Sequence, residues 1–293
     1  MTTLTTPNPN SASTPASEPV PAHESSPSAR SGLSFAGLIH SEWIKLWSVR
    51  STVWSFALLV VISLGIAAIS AMSTNALIQS SGIPGGLGGL PAADQAGIVT
   101  QAATLGVFLG QLIVAVLGVL VISGEYRTGM ITSTLAAAPR RLGALGAKVV
   151  VLFVSTLAVG LLSTIGSFIV AAPILSGQGL SVSLFDPLVF RPVLGAALYL
   201  ALVAVFALGV GASLRSGAGG IAAALGILLL LPIVPAMIPG AWATSVSPYL
   251  ISNAGVALFA TTGMEPWQGL LIVLGWIVVA FGFATILLKR RDA

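Results

Sequence analysis

The chain has 293 residues, of which 12 are Lys or Arg and 8 are Asp or Glu. Charged residues are 7% and apolar residues 56%, against about 25% charged in an ordinary soluble domain. Too little polar surface exists to clothe a soluble fold of this length. That excludes a soluble enzyme and, with a net charge of only +4, argues against a nucleic-acid partner. Cysteine is absent, which excludes disulfide frameworks and thiolate metal sites. The two histidines, His23 and His40, both precede the apolar part, so no histidine-based metal site or catalytic triad is expected.

Residues 1–32 form the first region. Pro, Ser and Thr make up 17 of the first 30 residues. Such a composition buries too little apolar area to offset the entropy of ordering, and predicts a disordered tail. It lacks the apolar core of a secretory signal. Residues 33–50, LSFAGLIHSEWIKLWSVR, follow a helical period. Phe35, Ala36, Ile39, Trp43, Leu46 and Trp47 share one arc, and Ser34, Gly37, Ser41, Lys45 and Ser48 the opposite one. This predicts an amphipathic helix in the membrane interface, where Trp43 and Trp47 suit the headgroup region. The pattern licenses that position and leaves two roles, a passive anchor and an elbow that transmits motion.

From residue 51 the charges stand apart. The uncharged gaps between them are long enough for helices of about 20 residues, the length that crosses a bilayer core. They predict an all-α membrane protein with six spans near 52–72, 102–123, 149–172, 193–214, 217–238 and 268–288. The Gly/Pro-rich SSGIPGGLGGLPAA after the first span reads as a loop. Segment 241–263 is moderately apolar, with Pro248 and Asn253 near its middle. Charge placement settles its reading. Six spans with both termini inside put 11 Lys and Arg residues on the cytosolic side and only Arg191 outside, as the positive-inside bias expects. A seventh span would move Lys289, Arg290 and Arg291 outside. Segment 241–263 is therefore expected at the outer face, as a short re-entrant or interfacial helix.

No charged residue falls near a span midpoint, which argues against intramembrane proton relays and metalloproteases. Gly106, Gly110 and Gly118 have small-residue spacing, read first as packing within one subunit and second as a dimer face. Gln111, Ser155, Thr156, Ser163, Thr164 and Ser167 are read as bonding neighbouring helices more readily than lining a path. Pro232, Pro235 and Pro239 are expected to end the fifth span.

The loop after the second span reads SGEYRTGMITSTLAAAPRRLGALGAK. Glu125, Tyr126 and Arg127 follow the membrane, and Gly129 suits a tight turn. Met130 to Ala138 is expected as a short helix along the membrane, ended by Pro139. Arg140, Arg141 and Lys148 are then expected against anionic lipid or a partner. An E-x-x-K pair, Glu42 to Lys45, precedes Arg50 and the first span. G-E-Y-R-T-G follows the second, and P-R-R precedes the third. In this order the chain resembles the permease subunit of ATP-binding-cassette (ABC) transporters of the type-two exporter family, over residues 33–291.

That resemblance implies a function. Two permease copies, alike or different, would associate with a dimer of separate ATPase subunits, and these would use ATP and Mg while this chain binds no cofactor. Glu125, Tyr126, Arg127, Thr128, Gly129 and Met130 would form the coupling helix that docks on the ATPase. Glu42, Trp43, Lys45, Trp47 and Arg50 would belong to the elbow. Met130 stands where members often have Thr. Location would be the bacterial plasma membrane, with cytoplasmic termini. Consistent with a separate energy source, no G-x-x-x-x-G-K-[ST] phosphate loop occurs in the sequence. A membrane scaffold without transport activity explains the spans equally well but not the G-E-Y-R and elbow pattern. A lipid-modifying enzyme would have only Glu125, Tyr126 and Arg127 as a cluster.

Overall fold

A computed structural model describes residues 35–82, 86–128, 141–238 and 240–291, all within the unit Leu33–Ala293. Backbone in lipid must satisfy its own N–H and C=O groups, and a helix does this within one segment. The regular elements among the described residues are accordingly helical, and six stretches are long and apolar enough to cross a bilayer.

Helix α1 (Phe35–Ser48) stops where Val49 becomes extended, and α2 (Arg50–Ser80) is the first span. Its 31 residues reach about 46 Å at 1.5 Å per residue, well past the expected 52–72. The described part of the Gly/Pro segment forms turns, tied down by the Leu87 N–H donating to the Gln178 carbonyl at 3.0 Å. The second span, Ala92–Gly124, comprises α3 (Ala92–Thr104) and most of α4 (Val107–Thr128), joined by a turn at Leu105 and Gly106. It starts ten residues before the expected 102–123. Helix α5 (Arg141–Ser176) carries the third span and α6 (Pro187–Leu214) the fourth. The Asp186 carboxylate caps α6 by accepting the Leu188 N–H at 2.9 Å, and Arg215 ends it in the left-handed region at φ 52°.

The fifth span, Gly217–Met237, is α7 (Gly217–Leu225), a π-helical turn over Gly226–Leu230, and α8 (Leu231–Met237). The span ends at Met237, among the prolines, and a π-helical break lies upstream of them. Pro232 and Pro235 sit inside α8, which continues to Met237; Pro239 lies outside the described residues. Segment 241–263 does not span. It folds as α9 (Ala241–Val246), a 3-10 turn over Ser247–Tyr249, and α10 (Ile251–Val256). Asn253 donates to the Ser247 carbonyl at 2.9 Å, fixing the turn at Pro248. Helix α11 (Pro266–Arg291) is the last span.

Helix α6 is the centre of the bundle, with α4, α5 and α11 against it. Its small side chains allow this: an Ala- and Gly-rich helix lets neighbouring backbones approach where lipid offers no hydrophobic drive. Gly118 of α4 sits directly on the Ala204 carbonyl of α6. A Cβ on Gly106 would meet Ser63 Cα at 2.7 Å, and one on Gly110 the Leu59 side chain at 2.8 Å. All three close approaches lie within one chain, so packing of a single subunit accounts for the glycine spacing.

The up-and-down order gathers Arg50, Thr128, Arg141, Leu214, Gly217 and Arg291 at one end, called here the basic end. Arg191, Asp94, Asp186 and Glu265 lie at the opposite end.

Candidate functional sites at the two ends of the bundle

At the basic end, α1 packs on α5 and turns Glu42 and Leu46 inward. The apolar arc expected of this helix is divided. Leu46 is buried and Ile39 half-buried, while Phe35, Trp43 and Trp47 are exposed. Trp47 bridges Trp43 and Phe56 of α2, with ring centroids 5.9 and 5.7 Å apart. The buried face therefore carries a charge, because Glu42 has partners there. Its carboxylate accepts from Lys45 at 2.7 Å and from Lys148 at 2.6 Å. Glu42 is 6% exposed and Lys148 7%. Burial alone would raise the Glu42 carboxyl. The neighbouring Lys148 charge and hydrogen bond, then those of Lys45, outweigh it and hold the group below the usual carboxylate range.

This corrects the expectation for Lys148. Its ammonium faces Glu42 rather than lipid, since α1 folds over the start of the third span. Arg140 lies outside the described residues, and Arg141 opens α5. Arg50 is exposed at the first turn of α2.

A cavity of about 1030 Å³ adjoins the ion pair, lined among others by Glu42, Lys45, Ser123, Gly124, Lys148 and Arg215. Gly124 is the first residue of G-E-Y-R-T-G, so that segment leaves the bundle beside the clamped α1. Glu125, Tyr126, Arg127 and Thr128 are not loop residues but the final turn of α4. Gly129, Met130 and the short helix expected over 130–138 lie outside the described residues.

A second cavity, about 820 Å³, lies in the opposite half of the bundle. Its walls come from α3, α4, α6, the π-helical turn, α8 and α10. At its floor Gln111 of α4 meets Tyr199 of α6, whose hydroxyl donates to the Gln111 side-chain oxygen. Twelve residues separate Tyr199 from Pro187 and fifteen from Leu214, or about 18 and 22 Å along the helix, so the pair sits at mid-depth. Helix α10 reaches the same depth: Gly255 lies against the Tyr199 ring, leaving no room for a Cβ. Segment 241–263 thus reaches into the bundle through α10: Leu250, Ile251, Ser252, Ala254 and Gly255 are buried, while Trp242, Val246, Tyr249 and Val256 are exposed. The Trp276 indole N–H to the Tyr249 carbonyl at 2.9 Å and the Arg191 guanidinium to the Ala260 carbonyl at 3.1 Å hold it to the bundle.

Of the polar residues singled out in the spans, Gln111 alone borders either cavity. The Thr164 hydroxyl donates to the Val193 carbonyl at 3.3 Å, and Ser155, Thr156, Ser163 and Ser167 are buried in the packing of α5. Sequence reasoning missed Tyr199 and the pairing of Glu42 with Lys148. Among the described residues no group of three or more His, Asp or Glu side chains is placed to hold a metal. Neither a scan against models of known protein families nor a search of curated proteins finds a match to this chain.

Proposed function

We propose that this chain is the permease subunit of an ABC exporter, driven by separate ATPase subunits at its basic end. The observation that carries the reading is the meeting of two motifs at one cavity. Gly124, the first residue of G-E-Y-R-T-G, lines it together with Glu42 and Lys45 of the E-x-x-K helix, and Glu42 is paired with Lys148 of the third span. A force applied at Glu125 to Thr128 acts on an unbroken helix. Helix α4 runs from Thr128 back to Gln111 and ends at the Leu105–Gly106 turn. Motion at the basic end is therefore delivered to the cavity of the opposite half, with the break in the second span as hinge. Coupling by rigid elements is how a small displacement at one site becomes a change of access at another.

On this reading the basic end faces the cytoplasm of a bacterial cell, as the Lys and Arg bias expects. Trp43 and Trp47 rest in the headgroup layer, and two permease copies frame the path. Isolation of the full chain in mild detergent from its native membrane should bring down an ATPase with a phosphate-loop motif, identifiable by mass spectrometry. Glu125→Lys should release that ATPase while the chain still inserts in the membrane. Recovery of the native chain with no such ATPase, or with one that E125K retains, defeats the proposal and favours a membrane scaffold.

A further inference from the structure

The fifth span changes character at its middle. Up to Leu228 it is part of the bundle. Helix α7 packs along α4 and α6, and Ala224 and Leu228 belong to the buried core, with Ile221, Leu225 and Ile227 half-buried against it. The exposed positions of α7, Ala218 and Ala222, lie within about 40° of each other at 3.6 residues per turn. Beyond the π-helical turn this order is lost. Ile233, Val234, Ala236 and Met237 are all exposed and cover about 160° of the helix. Only Pro235 of α8 is buried. Among the described residues, α8 packs closely on no more than its neighbours in sequence, the π-helical turn and α9. Towards α4 there is open space, since Pro232, Ile233 and Ala236 share the cavity of about 820 Å³ with Phe108.

The backbone at the junction is weak for three separate reasons. The Leu231 N–H donates to the Gly226 carbonyl, five residues back, in place of an α-helical bond. Pro232 and Pro235 have no N–H, so the Leu228 and Leu231 carbonyls cannot receive the bond from four residues on. Gly226 opens the turn, and a Cβ there would meet nothing within 4 Å. At Gly118 and Gly255 neighbouring atoms leave no room for a side chain. Gly226 has no such packing reason, and its effect is on the freedom of the backbone. Helices bend sharply at π turns and at prolines, and here the two coincide.

We propose that the π-helical turn over Gly226–Leu230 is a hinge about which α8 swings as a unit, while α7 and the rest of the bundle stay in place. Met237 ends α8, seven residues beyond Leu230, or about 10 Å along the helix. A swing of about 20°, the least that counts as a sharp kink, carries it about 4 Å. The hinge asks nothing of an ATPase, so it stands or falls independently of the transport assignment.

The test is double electron–electron resonance on the full chain in nanodiscs. The chain has no cysteine, so two introduced cysteines carry the only spin labels. Co-reconstitution with an excess of the unlabelled native chain leaves the distances within one copy. Leu77→Cys with Met237→Cys reads α8 against α2, and Leu77→Cys with Trp267→Cys reads α11 against α2. All three positions are exposed, and they lie at the ends of their helices away from the basic end. The α8 pair should give a distance distribution broader than the α11 pair by about 4 Å. Gly226→Ala adds no contact within 4 Å. It should favour the continuous helix about fivefold, the ratio equivalent to the ~1 kcal/mol advantage of Ala over Gly in a helix, and so narrow the α8 distribution towards the width of the α11 pair. Pro232→Ala supplies the missing donor to the Leu228 carbonyl and should narrow it further in combination. Equal widths for the two pairs in the native chain, or an α8 distribution that G226A leaves unchanged, would each overturn the proposal.

Discussion

Replacing Lys148 by Met tests the basic end most directly. The substitution keeps the length and packing of the side chain and removes the charge that balances Glu42 across 2.6 Å. Breaking a buried pair by removing one partner costs about 3–5 kcal/mol, because the other charge stays buried. Lys45 still donates to Glu42 at 2.7 Å, but its side chain is 41% exposed and its contribution is screened by solvent. The low end of the range, about 3 kcal/mol, is therefore expected, or a fall in Tm of roughly 6–12 °C for a chain of this size. Tryptophan fluorescence during heating in detergent reads it. Glu42→Leu combined with Lys148→Met removes both charges, and should lose less stability than the sum of the two single variants. K148M melting with the native chain, or a double variant that is strictly additive, would refute the claim that these two groups hold α1 to the third span.

The same carboxylate predicts a pH dependence. Its folded pKa lies below the ordinary 4.5. Its contribution to stability is therefore complete above about pH 4.5 and is lost as pH falls through the lower folded value. Acidification below 4.5 should depress the Tm of the native chain more than that of Glu42→Gln, and an equal fall in both would contradict the assignment. The absence of cysteine makes topology accessible by single substitutions. Cysteines at Ser48 and Arg290 should react with a membrane-impermeant maleimide from the same side, and one at Ser81 from the other; labels on 48 and 290 from opposite sides would break the six-span order.

The spans were legible because lipid tolerates so few alternatives. A long uncharged, apolar gap without clustered Gly or Pro favours a helix in lipid, and six such stretches became the spans. Where the sequence misled, the reason was local chemistry that tertiary contact overrode. The span expected at 102–123 begins at Ala92, because an Ala-rich helix runs through Asp94, Gln95 and Gln101 to the turn at Leu105 and Gly106, where Gly106 is pressed on Ser63. The sequence places Glu42 in an E-x-x-K pair on an interfacial helix, without a partner beyond Lys45. Its partner lies 106 residues away, and no periodicity connects them. Tyr199 stands in an otherwise apolar run of the fourth span. Its role comes from Gln111, 88 residues distant. The π-helical turn left only a faint trace, Gly226 followed by leucines and Pro232.

The depth that α10 reaches yields the sharpest packing prediction. Gly255 touches the Tyr199 ring so closely that even a methyl has no space. The ring cannot swing aside while its hydroxyl is held by Gln111. Gly255→Ala should therefore act as an overpacking mutation and cost about 1–3 kcal/mol, with α10 lifting from α6 and the Ser247–Tyr249 turn opening to protease. Tyr199→Leu shortens the obstructing side chain. Alone it forfeits the hydrogen bond and some packing, but in combination with Gly255→Ala it should restore much of what the alanine lost. Such non-additivity requires the two residues to be in contact at mid-depth. A surface segment lying over the end of the bundle would give a nearly neutral G255A and two independent effects. Measured additivity of the pair would therefore return 241–263 to the membrane surface and remove one wall of the cavity.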